Sequence, residues 1–197
     1  MQKRLSRGWL LMACLALCAL LLAPFSLQAA GKIPAVGTEA PDFTLKDLDG
    51  DETSLSDMTK HGSVMLVVLR GYPRAQSPPC KKQFAELTAM AKELSKKRIF
   101  LVFVYPGEAE DLEEHAKEFL GDQDLARNVY LLLDPDFEFT SAYGLRWNAS
   151  LETSYPTTFL IDREGIVRYK RVSRTHGGRP WPEQIHREIA KLEKTAK

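Results

Sequence analysis

A single cysteine, Cys80, stands between an apolar run at 64–69 and a helical pattern that opens with Gln83 and Phe84, and the loop before it carries Arg70, Pro73, Arg74, Ser77, Pro78 and Pro79. A cysteine is a potent nucleophile once it is a thiolate. In the first turn of a helix, unpaired backbone N–H groups and the aligned peptide dipoles stabilise that negative charge, and Arg70 or Arg74 could add to it. A quieter reading uses the same residues: Ser77 as the N-cap, Pro78 as the first helical residue, and Cys80 as a small core side chain. Position and residue type leave both open.

The supply of other thiols decides what such a cysteine can do. The chain begins with Lys3, Arg4 and Arg7, runs through fifteen apolar residues at 9–23, and meets Pro24 and then Gln28-Ala29-Ala30-Gly31. This is the layout of a secretory signal peptide, since fifteen apolar residues fall short of the roughly 20 that cross a bilayer as a helix. Export, to the periplasm in a two-membrane cell, is therefore expected, with residues 1–30 as signal and 31–197 as one domain; Leu27 and Gln28 stand where small residues are preferred before a cleavage site, which leaves retention of the segment as an anchor as the alternative. Without residues 1–30, 27 basic residues fall to 24 against 26 acidic, a net charge of −2, which suggests no nucleic-acid or lipid partner. Cys14 and Cys18 leave with the signal, so Cys80 is the one thiol of the mature chain. In an oxidising compartment a lone thiol is buried and inert, paired between chains in a homodimer, or reactive and recycled by another molecule.

Positioning such a residue requires a framework, and the hydrophobic pattern supplies one. Runs at 64–69, 99–104 and 129–133 lack polar interruption and read as strands buried on both faces. Helical stripes lie between and after them: Phe84, Leu87, Ala91 and Leu94; then Leu112, Ala116 and Phe119; then Ile185, Ile189 and Leu192. Strands alternating with helices predict an α/β domain with a mostly parallel, covered sheet. Segments 157–161 and 166–172 flank Asp162-Arg163-Glu164-Gly165 and read as an antiparallel hairpin, which makes the sheet mixed. Other polar clusters carry less. Asp47-Leu48-Asp49-Gly50-Asp51 has its glycine two positions too early for a hand-type calcium loop and reads as a turn. His115 and His186 fall on helices without metal-ligand spacing and read as surface residues, and His61 reads as part of a polar loop before a strand.

Pro73-x-x-x-Ser77-x-x-Cys80-x-x-Gln83 resembles the peroxiredoxin signature, in which proline, a hydroxyl, the peroxide-attacking cysteine and Glu or Gln recur at these intervals. Val36-Gly37-x-x-Ala40-Pro41-Asp42-Phe43-x-Leu45 resembles the opening of the alkyl hydroperoxide reductase and thiol-specific antioxidant (redoxin) family. Residues 155–162, Tyr-Pro-Thr-Thr-Phe-Leu-Ile-Asp, resemble its closing strand. The resemblance spans about 33–197. It implies a thioredoxin-like fold, a central mixed sheet flanked by helices with an added N-terminal strand. It also implies a hydroperoxide substrate met by Pro73, Ser77 and Gln83, and an external thiol or thioredoxin-like reductant, with no metal or organic cofactor.

Three positions depart from that pattern. Family members usually carry arginine three residues before the aromatic of the closing strand, where this chain has Pro156, which resembles the cis-proline of thioredoxins and would present its backbone to an extended peptide. Pro79, immediately before Cys80, has no N–H. No resolving cysteine exists. In a thioredoxin-like hairpin, however, the strand that follows Gly165 returns to the active edge near Val172, so that His176 and Arg179 should arrive beside Cys80 and do the electrostatic work of the missing arginine. The expected function is a one-cysteine hydroperoxide reductase, with Cys80, Ser77 and Arg179 catalytic and Pro73, Gln83, Pro156, His176, Arg70 and Arg74 around the substrate. Thiol–disulfide exchange and non-catalytic binding are the alternatives. Edman sequencing of the exported protein is expected to begin at Ala30 or Gly31, and a dominant form that keeps Met1 would contradict the signal assignment.

Overall fold

The computed structural model describes residues 31–195; the expected signal segment lies outside them. Their elements run β1 (Thr44–Asp47), β2 (Glu52–Ser54), α1 (Leu55–His61), β3 (Ser63–Val68), α2 (Pro78–Thr88), α3 (Ala91–Lys96) and β4 (Ile99–Gly107). The second half holds α4 (Leu112–Leu120), β5 (Val129–Pro135), α5 (Glu138–Ala142), β6 (Thr157–Ile161), β7 (Val167–Val172) and α6 (Pro182–Thr195). The strands form one mixed sheet in the order β2-β1-β5-β4-β3-β6-β7. β3, β4 and β5 are parallel, and β6, β7, β1 and β2 join antiparallel. This is the expected architecture, except that the N-terminal strand is a two-stranded hairpin followed by the short helix α1.

The unbroken apolar runs are explained by the two layers. Met65, Val67 and Leu69 pack with residues of α2, α3, α4 and α6, while Val64, Leu66 and Val68 pack with α1 and α5 on the other face. A strand covered on both sides has no position left for a polar residue. Each fully buried aliphatic side chain contributes on the order of 2 kcal/mol, so β3 is a rigid base for the loop it feeds. α2 is anchored through Phe84, whose ring lies 4.6 Å from that of Phe103 and 5.2 Å from that of Phe119. The apolar stripe from Phe84 to Leu94 runs across two helices instead of one. The break falls after Thr88, whose hydroxyl donates back to the carbonyls of Phe84 and Ala85, a bond that bends helices.

Register determines where the chain returns. β6 pairs with β3 so that Val68 faces Thr157, and β7 pairs with β6 so that Thr157 faces Val172. The end of β3, the start of β6 and the end of β7 therefore share one edge of the sheet, where Cys80 begins α2. Asp47 closes the β1–β2 turn by accepting the amides of Asp49 and Asp51, as a turn residue should.

Asp134, buried at the end of β5, accepts the amides of Phe139 at 2.7 Å and Thr140 at 3.1 Å and so holds α5 in place. Burial pushes its carboxyl up to about 6, and the two amide bonds offset part of that rise. A raised acid is most favourable when protonated. Its contribution is therefore full below its unfolded value near 3.8 and is lost as pH climbs through about 6. Asp134→Asn should remove this dependence. Urea titrations should show the wild type losing up to about 3 kcal/mol relative to the variant between pH 4 and pH 7, and parallel pH profiles would contradict the assignment.

Candidate active site

α2 begins with Pro78 and Pro79, as expected, and Ser77 is its N-cap residue. The capping chemistry is different from that expected. The Ser77 side chain makes no cap hydrogen bond, and its carbonyl accepts the amides of both Cys80 (2.9 Å) and Lys81 (3.0 Å). Two prolines contribute no N–H and the next two amides are taken, so the start of this helix has no free backbone donor for an anion. Cys80 is 1 % exposed and belongs to the core cluster that contains Phe84. The sulfur is not enclosed by apolar groups alone, because a buried thiol can still accept hydrogen bonds. It receives two N–H groups from outside the helix: Arg179 Nη2 at 3.0 Å and the main-chain N of Arg70 at 3.4 Å.

The returning strand brings Arg179 as the topology predicts. Ser173 N donates to the Pro156 carbonyl at 2.8 Å, which fixes the end of β7 beside the start of β6. Gly178, at φ 83°, turns the chain so that the guanidinium folds back on its own loop. There Arg179 Nη1 donates to the His176 carbonyl at 2.6 Å while Nη2 reaches the sulfur. Arg179 Nε is buried without a hydrogen-bond partner among the described residues. The His176 ring points elsewhere, with Nε2 2.7 Å from Glu152 Oε1. It makes no direct contact with the sulfur, contrary to expectation, because the Glu152 carboxylate holds it.

Arg70 also acts in an unexpected way. Its guanidinium is turned from Cys80 to Glu152, with Nε 2.9 Å from Oε2, and to the Leu151 carbonyl at 2.9 Å; only its main chain serves the sulfur. Glu152 thus accepts from Arg70 with one oxygen and meets His176 with the other, with its own side chain 9 % exposed. Burial pushes the Glu152 carboxyl up, but the hydrogen bonds of His176 and Arg70 outweigh it and hold the group below the ordinary carboxylate range. An ionised carboxylate only accepts, so His176 Nε2 is the donor. The neighbours of Glu152 clamp the same strand end: the Thr153 hydroxyl donates to the Arg70 carbonyl, and Ser154 Oγ donates to the Leu69 carbonyl at 2.6 Å.

The loop before Cys80 is tied to the opposite wall. Tyr105 donates to Gln76 Oε1 at 2.9 Å, and Gln76 Nε2 donates to the His115 carbonyl and to Glu118. Burial raises the Tyr105 phenol far above its ordinary range, so it remains a donor. The His115 ring, expected at the surface, is half-buried and stacks on Tyr72 with centroids 3.7 Å apart. Pro73 and the exposed Arg74 line a cleft of about 450 Å³ with Tyr72, Tyr105 and Arg146. Arg74 is not among the hydrogen-bond partners of the sulfur, which are Arg70 N and Arg179 Nη2. Pro79, Gln83, Arg179 and Trp181 line a second, smaller hollow of about 160 Å³. Gln83 is buried and donates to Thr158 Oγ1 at 3.1 Å. Pro156 is buried, the peptide bond before it is trans, and its carbonyl is engaged by Ser173, so it neither resembles a cis-proline nor offers that carbonyl to a peptide.

Glu152, Thr153, Ser154, Gln76 and Tyr105 were not legible as site residues. The first three lie in a polar segment without periodicity, where only a cross-chain contact reveals a role. Among the described residues no group of three His, Cys, Asp or Glu side chains could hold a metal ion.

A buried thiol that meets two N–H groups at the helix start of a thioredoxin-like sheet is an arrangement on which thiol chemistry can be built. The model of the AhpC/TSA family matches residues 36–170, and the chain belongs to that family. The bcp protein of Helicobacter pylori, named as a peroxiredoxin, is 34 % identical over 137 residues, which cover 67 % of this chain and 84 % of that one. The thiol-disulfide oxidoreductase ResA of Bacillus subtilis is 29 % identical over 152 residues, 77 % of this chain and 75 % of that one. Among solved structures, the yeast mitochondrial 1-Cys peroxiredoxin superposes with a TM-score of 0.68 at 16 % identity, covering 83 % of this chain and 78 % of that one.

The site separates its arginines by experiment. Arg74→Ala is expected to leave the iodoacetamide alkylation rate of Cys80, followed by intact mass at pH 7, within about twofold of wild type, as for an exposed charge without a partner in the site. A tenfold drop would restore Arg74 to the sulfur's surroundings.

Proposed function

We propose that this protein reduces hydroperoxides with Cys80 as the attacking thiol and recovers it through a thiol from another molecule. One observation carries the reading: Arg179 Nη2 lies 3.0 Å from Cys80 Sγ while Arg179 Nε remains without an acceptor. The thiolate sulfur attacks one peroxide oxygen, an S–O bond forms as the O–O bond breaks, and the electron pair leaves on the second oxygen, which takes a proton to become water or an alcohol. Sulfur is oxidised by two electrons and the peroxide is reduced by two. A guanidinium beside the sulfur stabilises the charge that grows on the departing oxygen, the kind of term that preorganised donors supply. Cys80 is then a sulfenic acid. An external thiol, small or on a thioredoxin-like protein, condenses with it to a mixed disulfide and water, and a second thiol releases Cys80. Export by the basic and apolar start of the chain would put this cycle in the cell envelope.

Thiol–disulfide exchange is the second reading, favoured by the similarity to ResA. Burial of the sulfur and the engaged Pro156 carbonyl weigh against it, because a small peroxide can reach a recessed thiol more easily than an extended polypeptide can.

Stoichiometric hydrogen peroxide should convert Cys80 to a species trapped by a sulfenic-acid reagent in intact-mass analysis. Arg179→Ala should slow this oxidation about 10²-fold with the fold intact by circular dichroism, and Arg179→Lys should restore part of it, since a point charge lacks the guanidinium fork. A wild-type rate no faster than that of free cysteine would sink the peroxidase reading.

A further inference from the structure

We infer that Glu152 is a positioning residue for the reactive thiol, holding both of its hydrogen-bond donors through one carboxylate. The inference rests on Cys80 being the attacking thiol. The contacts form a closed ring. Oε2 of Glu152 accepts from Arg70 Nε at 2.9 Å, and the main-chain N of Arg70 points to the sulfur at 3.4 Å. On the other side Oε1 meets His176 Nε2 at 2.7 Å, the His176 carbonyl accepts from Arg179 Nη1 at 2.6 Å, and Arg179 Nη2 closes on the sulfur at 3.0 Å. Neither donor belongs to the cysteine's own helix, so neither is fixed by helix geometry. Both sit on irregular chain, one just past β3 and the other between β7 and α6, and Glu152 spans the two loops.

A surface ion pair would not do this, since exposed pairs contribute little and hold no geometry. The Glu152 side chain is 9 % exposed and its two oxygens are committed to two partners. The Thr153 hydroxyl on the Arg70 carbonyl and Ser154 on the Leu69 carbonyl at 2.6 Å hold the carboxylate's backbone against the same strand end. Charge and position make opposite predictions here. Glu152 is an anion near a sulfur that must itself become an anion, so by Coulomb's law alone its removal should favour the thiolate and speed the reaction. If it acts by position, its removal should slow it.

Glu152→Gln keeps size and removes charge, and its amide cannot accept from two donors with two oxygens. The expected result is a drop of about tenfold in the second-order rate of Cys80 oxidation by hydrogen peroxide, in keeping with a lost charged hydrogen bond. His176→Ala, at an exposed side chain that should not affect folding, breaks one arm alone and should give a similar but smaller loss. In an Arg179→Ala background Glu152→Gln should change the rate less than threefold, because its effect passes largely through the guanidinium. Crystal structures of wild type and Glu152→Gln should show the guanidinium displaced from the sulfur in the variant. A rate at or above wild type in Glu152→Gln, an undiminished tenfold loss in the Arg179→Ala background, or a guanidinium still seated on the sulfur would each overturn the proposal. If the wild type fails to react with peroxide while iodoacetamide still alkylates Cys80 and the guanidinium moves as expected, the peroxidase reading falls and the positioning of a reactive thiol stands.

Discussion

The sulfur of Cys80 must find its hydrogen-bond donors outside its own helix, and most of the site follows from that constraint. A helix start ordinarily offers several free amides to an anion. Here Pro78 and Pro79 have none to give, and the Ser77 carbonyl engages those of Cys80 and Lys81. The dipole of α2 remains, but the directed contacts come from Arg70, ten residues before the cysteine, and Arg179, ninety-nine after it. Such a site needs a rigid base on both sides of the thiol, and the β3-β6-β7 order supplies it.

Rigidity is obtained by burial beneath the site and by polar closure within it. The alternating faces of β3 are sealed by two layers, so the end of the strand is held by packing on both sides. Above that base the charged groups are drawn into contact with one another, as burial of charge demands. Glu152 faces Arg70 and His176, while Arg179 has the sulfur and a carbonyl. The unpaired Arg179 Nε is the exception, and an unsatisfied buried donor is expected at a functional position more than in a structural core.

Membership of the AhpC/TSA family and the departures from its pattern are reconciled by the same geometry. The closing strand has Pro156 where the resemblance led us to expect an arginine, and the carbonyl of this proline supports the sheet edge by accepting from Ser173. That bond orients the loop that delivers a different arginine. A cation therefore reaches the sulfur from the loop after β7.

Hydrophobic period and turn residues determined the layers, the helix start at Cys80 and the hairpin, because burial on one or two faces writes itself into local pattern. The resemblance to a thioredoxin-like fold, which says at which edge the hairpin opens, also made the return of Arg179 legible. The side-chain geometry was not. Nothing in the order of residues distinguishes an Arg70 that offers its side chain to the sulfur from one that offers its amide. Nothing marks Glu152, in a segment without periodicity, as the partner of Arg70 and His176. Those choices are made by which groups lie within about 3 Å once the sheet has closed, and hydrogen bonds of that length join residues 82 and 24 positions apart in the chain. Local sequence carries backbone preference and burial; the direction of a polar side chain is decided by competing partners that only the folded chain assembles.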